Sequence, residues 1–172
     1  MERDKLENII KQALDRLYKN DSYLIFNRPA GSTKDCHVSE RGIVFRFGLY
    51  FYELLNEIDN DFFNELSLDV EYNRNFYEMK TLYSFTNGTF PDMIIHRRSS
   101  NDCNFLVLEF KTWWNKDNSR DIQKVSGFMD TKQCYRYKYG ATIFLDKNLV
   151  EITWVNLNGN KEIVIYKPSK LN

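Results

Sequence analysis

Three prolines and seven glycines are few interruptions for 172 residues, and their scarcity argues against flexible linkers, collagen-like repeats and low-complexity tracts. Cysteine is equally sparse. Cys36, Cys103 and Cys134 are odd in number and show no C-x-x-C spacing, so neither a disulfide framework nor a zinc ribbon is indicated, and reduced thiols in a cytoplasmic protein are expected. No run approaches the roughly eighteen apolar residues of a membrane span. Met1-Glu-Arg-Asp-Lys5 leads into an amphipathic segment, so a signal peptide is not expected either. An excess of positive charge is also missing. Lys plus Arg number 24 and Asp plus Glu number 24, which argues against coating nucleic acid by bulk charge and leaves local patches as the means of binding it.

Aromatic residues are plentiful, at 16%, and the length suits one domain with a substantial core, spanning 1–172. Leu6, Ile9, Ile10, Ala13, Leu14 and Leu17 recur at helical spacing and predict an amphipathic helix over 4–19. Tyr23–Phe26 is a short apolar patch, followed by the turn-forming Arg28-Pro-Ala-Gly-Ser-Thr33. A second helix is expected from near Ser39 through Ile43, Phe47, Phe51 and Leu55 to Ile58, extending towards Leu66. Alternation over Leu68–Arg74 predicts a strand with one wet face. The stretch 78–90 reads as a connection. Strands are expected at Pro91–His96 and Phe105–Thr112, a helix from Asp121 to about Tyr137, and further strands at Ala141–Leu145, Val150–Val155 and Glu162–Tyr166.

Three charges stand out because they lie within apolar strands. Asp92 opens one strand, and Glu109 and Lys111 lie in the next, where period-two geometry puts them on one face while Leu106, Leu108 and Phe110 take the other. Two acids beside a lysine are the minimum set for holding a divalent cation and activating water against a phosphodiester. Glu40, at the head of the second helix, has two readings. An acid there meets the helix dipole favourably, yet the helix core stripe extended backwards also passes through it.

Context gives the spacing its weight: neighbouring strands, a shared face, a helix before and a helix plus strand after. In these respects the chain resembles the PD-(D/E)xK nuclease superfamily over about residues 39–146, with Pro91-Asp92 and Glu109-Phe110-Lys111 standing at the motif positions. The resemblance implies an α/β restriction-endonuclease-like core of order α-β-β-β-α-β with a mixed central sheet, extended here by an N-terminal helix and C-terminal strands. It implies Asp92 and Glu109 as metal ligands, with the Phe110 carbonyl as a further ligand. Lys111 would orient or deprotonate the attacking water, and Glu40 matches an acid that many members carry on the first core helix. The implied cofactor is Mg²⁺, with Mn²⁺ able to substitute.

Other residues are candidates for nucleic-acid contact. Gln133 and Tyr137 resemble the Q-x-x-x-Y signature of RecB-like exonucleases, while a competing placement directs Asp121, Gln123 and Lys124 at the site. Arg97 and Arg98 suit phosphates, although a charged hairpin tip is usually only solvated. Trp113 and Trp114 either stack on bases or cover a core edge, and the second use is the commoner. The leading expectation is a metal-dependent nuclease acting on DNA rather than RNA, with no membrane partner; a homodimer would suit cleavage of both strands. Two alternatives stand beside it: a catalytically silent nucleic-acid-binding or assembly module, and a partly buried Glu109–Lys111 ion pair without chemistry.

Overall fold

Leu6, Ile9, Ile10, Ala13, Leu14 and Leu17 form the buried side of helix α1 (Arg3–Asn20), as their spacing requires. The computed structural model describes residues 1–58, 61–115 and 117–169. A single turn, α2 (Ser22–Ile25), precedes α3 (Glu40–Ile58), whose stripe of Ile43, Phe47, Phe51 and Leu55 is fully buried. The extension of α3 towards Leu66 is not helical at 61–66, where turns bring Phe62 and Phe63 together; residues 59 and 60 lie outside the described residues.

The strands follow as β1 (Ser67–Val70), β2 (Arg74–Asn75), β3 (Glu78–Met79), β4 (Met93–His96) and β5 (Asn104–Thr112). Helix α4 (Ser119–Met129) then leads to β6 (Tyr139–Leu145), β7 (Val150–Val155) and β8 (Lys161–Tyr166). Six strands make one mixed sheet in the order β1-β4-β5-β6-β7-β8, with β5 and β6 parallel and the other neighbours antiparallel. The protein is therefore α/β, with four helices and a mixed six-stranded sheet among the described residues. Among the described residues no helix is long and apolar enough to cross a membrane.

Two expected elements are shorter than their patterns suggested. The strand expected over Leu68–Arg74 stops at Val70, because Glu71 turns into the left-handed region at φ 52° and passes the chain to the β2–β3 hairpin. The helix expected from Asp121 to about Tyr137 ends at Met129. Its last carbonyls are taken by returning groups: Gln133 Nε2 donates to the Gly127 carbonyl at 3.0 Å and the Tyr137 amide to the Phe128 carbonyl at 3.1 Å.

The sheet separates two apolar layers. Leu106, Leu108 and Phe110 face α1 and α3, joined by Met93, Ile95, Ile143 and Ile152. Ile94 and Val107 face α4, whose Val125, Phe128 and Met129 complete the second layer with Tyr135 and Tyr137. Helix α4 sits so close to β6 that a Cβ on Gly140 would lie 2.6 Å from Val125 Cγ1 and 2.5 Å from Met129 Sδ. The methionine can swing aside; the β-branched valine has little freedom. Gly140→Ala is therefore expected to cost about 1–3 kcal/mol of stability, as overpacking does. Urea denaturation measures it, and a midpoint equal to wild type would show that α4 lifts freely.

Candidate active site

Antiparallel pairing sets the site. Met93 lies opposite Leu108, so the same register continued by one residue puts Asp92 across from Glu109. Both belong to the α4 face, because Ile94 and Val107 of the same parity pack under that helix. The Phe110 amide donates to Asp92 Oδ2 at 2.6 Å, tying the aspartate to the neighbouring strand. Glu109 and Lys111 share the α4 face, as period two requires.

Helix α4 supplies the counter-charges. Asp121 and Lys124 lie on the same stripe as Val125 and Phe128 and so point at the sheet. Lys124 Nζ donates to Glu109 Oε2 at 2.7 Å, and Lys111 Nζ lies 2.9 Å from Asp121 Oδ2. The neutralising partners thus run between strand and helix. The Glu109–Lys111 pair imagined from sequence does not form; each is held by a different residue of α4.

Glu109 is 0% exposed, and its second oxygen, Oε1, has no hydrogen-bond partner. An ionised oxygen without a partner at such depth is costly. Burial, and then the nearby charge of Asp92, pushes the Glu109 carboxyl well above its ordinary value. Burial likewise raises Asp92, with the Phe110 amide pulling the other way. Burial is the largest influence on Lys124 and opposes its charge, but the charge and hydrogen bond of Glu109 together with the charges of Asp92 and Asp121 hold the ammonium above its usual value. Lys111 is raised in the same manner: burial opposes its charge most, and the hydrogen bond and charge of Asp121 with the charges of Glu40 and Asp92 together overcome it.

Glu40 enters from the other side of the sheet, at the start of α3. Its Oε2 accepts from the Thr112 hydroxyl at 3.3 Å, and burial raises its pKa while Lys111 lowers it and Asp92 adds to the rise. It is thus close enough to feel Lys111 and Asp92, which a mere dipole partner need not be. A cleft of about 420 Å³ opens here, lined by Ser39, Glu40, Arg41, Val70, Glu71 and Asp92. Thr112 was not singled out in the sequence, although it directly follows Lys111 and ends β5.

Other candidates lie elsewhere. Arg97 and Arg98 stand at the far end of β4 from Asp92, where Arg97 pairs with Glu65 and Arg98 with Asp69. Gln133 serves the end of α4, and Tyr137 is 0% exposed against Phe128. Tyr137 is buried and Gln133 half-buried, and both follow the helix rather than lie on it, which corrects the helical placement of the Q-x-x-x-Y reading. Gln123 is exposed.

The donors suit a hard divalent cation: carboxylate oxygens from Asp92 and Glu109, including the partnerless Oε1, with the Phe110 carbonyl on the same strand. Among the described residues no three His, Cys, Asp or Glu side chains gather closely enough to hold a metal together, so Glu40 does not complete a trio. Mg²⁺ commonly takes only one or two carboxylates and fills its remaining positions with water and phosphate oxygens. Comparison with protein-family models, curated proteins and solved structures returned no match.

The raised carboxyls define a pH dependence. The folded state keeps protons that the unfolded chain loses at 3.8 for Asp and 4.5 for Glu, so without metal these groups lower stability as pH rises above that range. Asp92→Asn keeps an acceptor for the Phe110 amide and relieves Glu109 of a neighbouring charge. In EDTA it should be at least as stable as wild type at neutral pH and less sensitive to pH. Lys124→Met leaves Glu109 unpaired and should lose up to about 3 kcal/mol, more at higher pH. Urea melts between about pH 4.5 and 8 test both; a steeper decline for Asp92→Asn would mean that Asp92 does not repel Glu109.

Proposed function

We propose that this chain is a divalent-cation-dependent nuclease that hydrolyses phosphodiester bonds of nucleic acid, with DNA favoured over RNA, on a restriction-endonuclease-like core. The observation that carries the reading is the fully buried Glu109, with one oxygen lacking a partner and Asp92 beside it. A protein that needed only an ion pair would not keep a second, half-buried acid next to the first. The chain order α3-β1-β4-β5-α4-β6 agrees with the α-β-β-β-α-β order implied by the motif residues. The three thiols, all unpaired, suit the cytoplasm.

In this reading Asp92 and Glu109 hold the cation, with the Phe110 carbonyl as a further ligand. A bound Mg²⁺ or Mn²⁺ would neutralise phosphate charge and lower the pKa of a water. Lys111 orients the attacking water and adds positive charge where the transition state gains negative charge. Asp121 fixes the Lys111 ammonium in place. Lys124 neutralises Glu109. Glu40, through the cleft, contributes to the water side of the site.

A second reading, a catalytically silent nucleic-acid-binding or assembly module, draws on the fact that both lysines are engaged by carboxylates, so the four charges neutralise one another. Metal dependence separates the two. Mg²⁺ and Mn²⁺ should raise the melting temperature by mass action, worth roughly 3 kcal/mol at a hundredfold excess over the dissociation constant. Asp92→Asn should lose most of that rise. Incubation with plasmid, linear duplex, single-stranded DNA and RNA under each ion tests cleavage directly. Lys111→Ala and Lys111→Met should abolish cutting while leaving the metal-dependent rise largely in place. A melting curve indifferent to both ions, with every substrate intact, would leave the silent module.

A further inference from the structure

The chemistry above makes no use of an aromatic stack beside it. The Trp114 indole lies flat against the His37 imidazole, with ring centroids 3.7 Å apart and planes 9° from parallel. Trp113 stands edge-on to both. The role of Trp113 is structural, since its Nε1–H donates to the Ile25 carbonyl at 2.9 Å and its ring packs on the core. Trp114, half-buried, packs against the same core and is covered on one face by an exposed histidine.

Position links this stack to the candidate site. Trp114 lies two residues after Thr112, which donates to Glu40, and His37 lies three residues before Glu40. The surroundings are cationic. Lys147 sits 4.3 Å from the Trp113 ring centroid, and Lys147 and Arg28 together face the single carboxylate of Asp35, two cations against one anion.

The His37 ring is lightly held, although the backbone on either side of it is anchored, by the Asn27–Cys36 bridge and by the Val38 amide donating to the Leu24 carbonyl at 3.2 Å; an exposed loop turning at Gly31 with φ 77° precedes it. The ring's polar contact is a long one, Nδ1 to the Val38 carbonyl at 3.4 Å. An imidazole covers an indole only in part, whereas a purine or pyrimidine covers more of it. A flat π surface beside the Trp113 ring that Lys147 covers, in the chain segment just after the candidate site, matches a nucleotide whose base is free to leave its neighbours. In duplex DNA the base faces are already covered.

We propose that Trp114 is the stacking platform for an unpaired nucleobase of the substrate strand, and that His37 holds that place until the base displaces it. This rests on the nucleic-acid reading of the site, but not on cleavage. Single-stranded nucleic acid is then the preferred ligand class.

The test is binding in EDTA, where no cutting occurs, of fluorescent oligothymidine, oligouridine and a DNA duplex of equal length. Trp114→Ala should weaken single-strand binding roughly tenfold to a hundredfold, with duplex binding changed little and Trp114→Phe retaining most of the affinity. His37→Ala should tighten single-strand binding about two- to tenfold, the worth of one aromatic stack. Circular dichroism melts establish that each variant is folded. Opposite signs for the two substitutions support a displaced placeholder; equal losses for both, unchanged affinity, or no single-strand binding by wild type overturn it. Equal affinity for the two single strands assigns the contact to the base face alone, and a preference for either adds a contact to the sugar or to the thymine methyl while leaving the stack in place. If the signs appear but no substrate is cut under Mg²⁺ or Mn²⁺, the platform stands and the nuclease reading falls. If cutting occurs and both variants bind like wild type, the reverse holds.

Discussion

The site depends on one constraint: a carboxylate, Glu109, fixed in the middle of a central strand with no access to water. An acid at that depth needs compensation from something held as firmly as itself. Helix α4 provides it through Lys124, and the same helix carries Asp121 to hold Lys111. Because α4 is also the connection between the parallel strands β5 and β6, the chain that closes the sheet brings the counter-charges with it. Fold and site are completed by one element, not by separate devices.

The compensation is incomplete in a specific way. Asp92 adds a second negative charge and gives one oxygen to a backbone amide, while Glu109 keeps an oxygen with no partner. Natural cores rarely retain such a group without a use for it. A structural ion pair would be as well served by Lys124 and Glu109 alone. Glu40 lies at the same end of the sheet, where the charge of Asp92 adds to the rise of its pKa and both side chains line one cleft.

Much of this was legible in the chain. Period two put Glu109 and Lys111 on one face, helical spacing produced α1 and α3, and the order of the main strands followed from their apolar runs. Less visible were contacts that periodicity does not encode. Nothing local says that Lys124, rather than Lys111, neutralises Glu109, because that depends on how α4 lies over β5. The end of α4 was missed because Gln133 and Tyr137 continue a helical pattern while their polar groups turn back to satisfy its last carbonyls. β1 stopped early because Glu71 turns where alternation alone would continue. Thr112 was overlooked because a lone threonine at a strand end carries no pattern.

The close seat of α4 on Gly140 has a consequence for evolution as much as for folding. That glycine sets the height of the helix above the sheet, and the ammonium of Lys124 meets Glu109 only at that height. The clearance at one backbone position thus acts as a gauge for a charge contact elsewhere on the helix. Drift in the second apolar layer is therefore coupled to the electrostatics of the carboxylates, so variation at Val125, Met129 and Gly140 should be constrained jointly, although none of the three has a charge of its own.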